Sequence, residues 1–216
     1  MAGDCEKYGL AVSLREWFER DPERVRNDIQ RYFFGIPGEG PFDGRHFESF
    51  IAMGDPACFG PVDLLAIQAL QVSIPSGSAL RLLGCAAEFN AALNDLPSGQ
   101  LWETERAVFE PGGAVIKLFK LLDELPHVGT TKATKLMAAK RPHLIPIQDA
   151  FVQEALVLPK GRFWLPMYDQ LADASLRKFI GDATKGAPDG VSLLRRIDVA
   201  VWMHVNDRKK AERVPG

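Results

Sequence analysis

The stretch from about residue 113 to 139 constrains this chain most. An apolar run from Ala114 to Glu124 puts Val115, Leu118 and Leu121 or Leu122 on one face at helical spacing. Pro126 disfavours a helical conformation at Leu125 and stops the run there. Five residues, Leu125-Pro126-His127-Val128-Gly129, separate it from a second helical pattern, TTKATKLMAA. Gly129 supplies the positive φ of a tight reversal, and Thr130 is expected to cap the second helix. The pattern predicts helix, hairpin, helix.

The rest of the chain reads in the same alphabet. Ser13-Leu14-Arg15-Glu16 has the spacing of a capping box before Trp17 and Phe18, and Asp21-Pro22 opens a second helix with Val25, Ile29 and Phe33 on its core face. Gly35, Pro37, Gly38, Gly40, Pro41 and Gly44 make 35–44 a loop, followed by Arg45-His46-Phe47. That loop belongs either to a ligand site or to plain surface. Pro61–Leu70 is expected as a helix with Leu64, Leu65 and Ile67 inward. One long helix is expected from about Gly77 to Leu93, and another begins near Trp102 and breaks at Pro111-Gly112-Gly113. Beyond residue 149 come a helix ending at Pro159, a basic and aromatic loop Lys160–Trp164, and a helix from about Met167 to Ile180. A connection over 181–190 then leads to a last helix with Leu194, Ile197, Val201 and Val205 on one face. Residues 207–216 form a polar tail. No strand, repeat or low-complexity tract competes, so the fold class is all-α.

Charge is one-sided near the hairpin. Between Gly129 and Gln148 stand Lys132, Lys135, Lys140 and Arg141 and no acid, in a chain of formal net charge -2. Amides at a helix start are unpaired and favour phosphate, and lysines one turn on add point charges. An ordinary helical pair with a solvated basic face has the same composition.

LPHVG followed by TTKA resembles the hairpin of the helix-hairpin-helix DNA glycosylase superfamily, and KRPHLIPIQD has the KRPxLxPxxD form of a set of small bacterial proteins. In the superfamily an aspartate lies about twenty residues past the last hairpin glycine. Asp149 stands twenty after Gly129. The resemblance covers some thirty residues of 216. It implies two helical lobes, the first mixing both chain ends, with the helix-hairpin-helix motif and Asp149 bordering the cleft between them. It implies duplex DNA as partner, held by His127, Val128, Gly129, Thr130, Lys132 and Lys135, and Asp149 as the catalytic carboxylate. Two departures stand out. His127 replaces the usual first hairpin glycine, and Thr131 occupies the position of the lysine in strand-cleaving members, which implies a monofunctional enzyme.

The chemistry suits a carboxylate. Breaking an N-glycosidic bond builds positive charge on the sugar, which a fixed anion stabilises, and the same group orients the attacking water. The base must leave the stack, so a pocket is needed; the aromatic candidates are Tyr32, Phe47, Trp164 and Trp202. Packing explains the same rings, and a helix cap explains Asp149. The alternatives are a non-catalytic hairpin protein that binds DNA and a helical interaction protein without a nucleic-acid role.

Cys5, Cys58 and Cys85 are too scattered for a metal site or disulfide framework, and no four cysteines cluster for an iron–sulfur centre. His46, His127, His143 and His204 lack metal-ligand spacing. No metal and no cofactor are expected. No run approaches the roughly 20 apolar residues of a membrane span. The N-terminus has no signal-peptide pattern, so the expectation is a cytoplasmic monomer of one glycosylase-like domain over 1–206.

Overall fold

The computed structural model describes residues 13–156 and 163–213. Among them every regular element is helical, apart from isolated backbone bridges at Ile36–Glu39 and Lys185–Ala187. The chain divides into two compact units, one of Asp43–Gln148 and one drawn from both ends, up to Phe42 and from Asp149 onward.

The two-ended unit holds α1 (Leu14–Glu19) and α2 (Pro22–Phe34), then α9 (Ala150–Leu156), α10 (Trp164–Leu171), α11 (Ala174–Ala183) and α12 (Leu193–Glu212). Local chemistry starts these helices where the residues predict. Ser13 and Glu16 form a reciprocal capping box, and Asp21 accepts from the Arg24 amide with Pro22 in the first turn. Val25, Ile29 and Phe33 are buried as their spacing requires, and Tyr32 joins them. α12 is the spine of the unit. Leu194, Ile197, Val201 and Val205 are buried, and so are Val199, Ala200 and Met203, because α2, α9 and α11 all pack on it.

Two expectations give way here. The helix expected from Met167 to Ile180 is two helices, because Asp173 takes the Ser175 amide at 2.7 Å and caps α11. The polar segment from Asp207 stays helical to Glu212, with Arg208 and Lys209 paired to Glu154. Pro159 and Lys160-Gly161-Arg162 lie outside the described residues.

The Asp43–Gln148 unit holds α3 (Phe47–Ile51), α4 (Pro61–Ala69), α5 (Ser76–Gly84), α6 (Ala86–Asn94), α7 (Ala114–Asp123) and α8 (Gly129–Lys140). α7 buries Val115, Leu118 and Leu122. The Gly77–Leu93 helix is interrupted at Cys85, whose φ of -100 and ψ of 34 leave the helical range. The segment after Trp102 forms two 3₁₀ turns, Leu101–Glu103 and Arg106–Phe109. On α4 the inward face is Asp63, Ala66 and Ile67, while Leu65 is 47% exposed. The apolar run there is continuous, so composition alone misplaces its face. A buried partner for Asp63 fixes it.

α8 is the most enclosed helix of this unit. From Ala133 to Lys140 every residue is buried. The chain passes from Gly113 into α7 through a tight crossing, where a Cβ on Gly113 would lie 2.4 Å from the carbonyl oxygens of Ala107 and Val108.

Candidate functional site

The sequence candidates fall in both units. In the 43–148 unit, α7 and α8 pack together and are joined by the turn 124–128. His127 and Gly129 both take left-handed conformations, with φ of 59 and 63. A histidine pays a steric cost there that glycine does not, so the surroundings must hold it. Three bonds do so. The Val128 amide donates to the Leu125 carbonyl at 3.0 Å, the Ser78 hydroxyl donates to the Pro126 carbonyl at 2.7 Å, and the Lys132 ammonium donates to the His127 carbonyl at 2.8 Å.

This geometry revises three roles. Thr130 is not a cap, since α8 already begins at Gly129 and Val128 precedes it without a side-chain cap. Val128 is buried and its amide is committed to Leu125, so that of the amides of 128–130 those of Gly129 and Thr130 remain at the helix start without an intrahelical acceptor. Lys135 is withdrawn from any external anion: it is buried and its ammonium donates to the Leu70 carbonyl at 3.1 Å.

The rest of the basic stretch turns inward as well. Lys140 meets Asp63 at 2.5 Å, with both side chains 2% exposed, and also donates to the Asp55 carbonyl at 2.8 Å. Arg141 donates to the carbonyls of Pro56, Lys140 and Leu93. These two residues fasten the loop 54–60, and burial pushes the Arg141 guanidinium below its ordinary range. The Lys-Arg-Pro segment is therefore a structural clamp. Its one-sided charge is matched by carbonyls and one carboxylate distant in sequence, which a count of local acids does not register. Just before the unit ends, the Gln148 amide donates to the Thr134 hydroxyl at 3.1 Å, tying 144–148 to α8.

In the two-ended unit Asp149 occupies the cap position of α9. Its Oδ1 accepts from the Phe151 amide at 2.8 Å and its carbonyl from the Gln153 amide at 2.9 Å. The carboxylate is half-buried.

The four aromatic candidates separate. Phe47 is 1% exposed and forms core in the 43–148 unit, and Trp164 is buried at the first turn of α10. Packing accounts for both rings. Tyr32 and Trp202 lie together, with ring centroids 6.2 Å apart, and two residues that the sequence did not single out complete the group. Phe42 stacks on Tyr32 at 5.5 Å and meets Trp202 edge-on at 5.6 Å; Phe151 stacks on Trp202 at 6.1 Å. Tyr32 is the buried base of the row. Its hydroxyl accepts from the Arg195 guanidinium at 2.6 Å, and Arg195 pairs with the buried Asp198. Phe42, Trp202 and Phe151 are half-buried. The Lys209 ammonium lies 4.3 Å above the Phe151 ring and the Lys210 ammonium 5.6 Å above Phe42. Phe151 follows Asp149 by two residues, which is a signal the sequence did carry. Among the described residues no group of three potential metal ligands gathers, and no helix is long and apolar enough to cross a membrane.

Against known proteins, the chain matches the family of unknown function DUF6308 over residues 25–205, and it belongs to that family. Comparison with curated proteins and with solved structures finds no match.

Proposed function

We propose that this member of DUF6308 is a monofunctional DNA N-glycosylase, which hydrolyses the N-glycosidic bond of a damaged or modified base flipped out of duplex DNA. Base-excision repair and defence against phage with modified DNA both use such a reaction. The observation that carries the reading is a paired one. A turn with His127 and Gly129 at positive φ opens a helix, and twenty residues after Gly129 a half-buried carboxylate starts the next helix.

The phosphate contact is narrower than the sequence implies. The Gly129 and Thr130 amides donate to a phosphate oxygen, favoured by the positive end of α8. Lys132 uses one donor on the His127 carbonyl and keeps the others of its ammonium for the same anion. The exposed His127 ring sits beside this contact and replaces the close backbone approach of a glycine.

Asp149 supplies the chemistry. As the bond from C1′ to the base nitrogen lengthens, the base leaves with the electron pair and positive charge grows on the sugar. The carboxylate stabilises that charge, orients the water whose oxygen bonds to C1′ and accepts the proton this water loses, which passes on to the departing base. Its Oδ1, held by the Phe151 amide, fixes the carboxylate plane in advance. Trp202, backed by Tyr32, offers a face for the extruded base. Base release from duplexes carrying alkylated, deaminated, oxidised and phage-type modified bases tests this, with abasic sites revealed by alkali. Release of one class names the substrate; no release from any of them overturns the enzymatic reading.

A second reading is a non-catalytic hairpin protein that binds DNA. The cap geometry favours it, since the bond to Phe151 accounts for Asp149 without chemistry. It predicts salt-dependent duplex binding and no base release.

A further inference from the structure

We propose that the end of α12, together with the Phe42–Trp202–Phe151 row, binds single-stranded DNA. The inference rests on the reading of the protein as one that binds DNA, but on neither the 124–128 turn nor the chemistry of Asp149.

Three half-buried rings follow one another at 5.6 and 6.1 Å, and Tyr32, locked by Arg195, packs against Phe42 and Trp202. Phe42 and Phe151 each carry a lysine ammonium over the ring, so a base reaches the ring as that ammonium moves to the neighbouring phosphate. These two ammonium groups border the row, those of Lys209 and Lys210, one helical step apart and each over a different ring. Their partners are carboxylates on the outer surface. Glu154 meets Lys209 at 2.8 Å and Glu39 meets Lys210 at 3.6 Å, with these two carboxylate side chains 41% and 34% exposed. Arg208 also pairs with Glu154. Ion pairs this exposed contribute little, so they are readily exchanged. A DNA phosphate exchanges for them with a gain that a carboxylate lacks, because its condensed counterions return to solution.

Rings beside cations are the pattern of a strand-tracking surface. The partner is a single strand rather than a duplex for a geometric reason. In a duplex the flat faces of the bases are covered by their neighbours, whereas an unpaired base presents its face to a ring. The surface thus takes unpaired strand in addition to duplex.

The test uses the full chain and a fluorescent twelve-nucleotide oligo-dT, titrated by anisotropy over a salt series beside a blunt duplex of equal length. The wild type binds the single strand. Lys209→Ala with Lys210→Ala lowers the slope of log affinity against log salt by about 1.4, two phosphates at about 0.7 each. Phe42→Leu with Phe151→Leu keeps apolar volume for folding and weakens oligo-dT at least about fivefold with an unchanged slope. Lys132→Ala weakens the duplex and leaves oligo-dT unchanged. Duplex binding without oligo-dT binding overturns this inference and spares the DNA reading. Binding of neither overturns both. Oligo-dT affinity that ignores the α12 and phenylalanine variants overturns the inference alone.

Discussion

Replacing Lys140 by Met separates a structural clamp from a solvated basic face. Lys140 and Asp63 are each 2% exposed at the side chain and meet at 2.5 Å. Asp63 Oδ2 also accepts from the Gly60 amide at 2.7 Å, while its Oδ1 has no hydrogen-bond partner among the described residues. The ammonium is thus the main compensation for a buried carboxylate. Its loss leaves that charge unpaired, at about 3–5 kcal/mol. For a chain of this size a loss of 1 kcal/mol lowers Tm by about 2–4 °C, so the variant should melt about 6–20 °C lower. Thermal unfolding followed by far-ultraviolet circular dichroism reads this directly. The control is Lys132→Met, whose ammonium, among the described residues, meets the His127 carbonyl at an exposed position, with an expected loss within about 1 kcal/mol. Adding Asp63→Leu to Lys140→Met should recover most of the deficit, short of about 1 kcal/mol for the lost bond to Gly60. If Lys140→Met costs less than about 1 kcal/mol, the inward reading of the basic stretch is wrong.

Three further outcomes follow from named contacts. Gly129→Ala should destabilise by about 1–2 kcal/mol, because φ is 63 although nothing lies within 4 Å of the new Cβ, and His127→Gly should shift stability the opposite way; urea unfolding checks both signs. Tyr32→Phe removes the 2.6 Å bond from the Arg195 guanidinium and should cost about 1.5–3 kcal/mol by the same measurement, with no change if the bond is absent. Burial first, then Arg24 and Arg208, hold the His204 imidazole below its ordinary 6.5, against the opposing pull of Asp207. The unfolded chain therefore takes up this proton first, so the contribution is complete above 6.5 and is lost as pH falls through the lower folded value. Melting at stepped pH should show His204→Phe losing less stability than the wild type on acidification below 6.5.

The helices were legible where a local device marks them. Ser13 with Glu16, and Asp21 with Pro22, start their helices through bonds reaching only three residues along the chain. The break at Cys85 has no such marker, and on α4 Ile67 is inward as expected but Leu65 is not, because the face is set by Lys140, 77 residues away from Asp63 along the chain. The site divides on the same line. Positive φ at Gly129 and a cap at Asp149 follow from turn and helix chemistry, and both occur. The fate of Lys135 depends on the Leu70 carbonyl, 65 residues earlier, and the aromatic row joins Phe42 to Phe151 through Trp202. Such partners are set by tertiary packing. Their only trace in sequence is residue type.

The central claim, that Asp149 hydrolyses a glycosidic bond, is tested most directly by single-turnover base release with the wild type and Asp149→Asn. Asparagine caps a helix about as well as aspartate, so the variant keeps the Phe151 bond and the fold while losing the negative charge. The account predicts release by the wild type, at least about a hundredfold slower release by the variant, and equal duplex affinity for both. Release that proceeds equally in the variant, or that is absent from the wild type on every modified duplex, contradicts it.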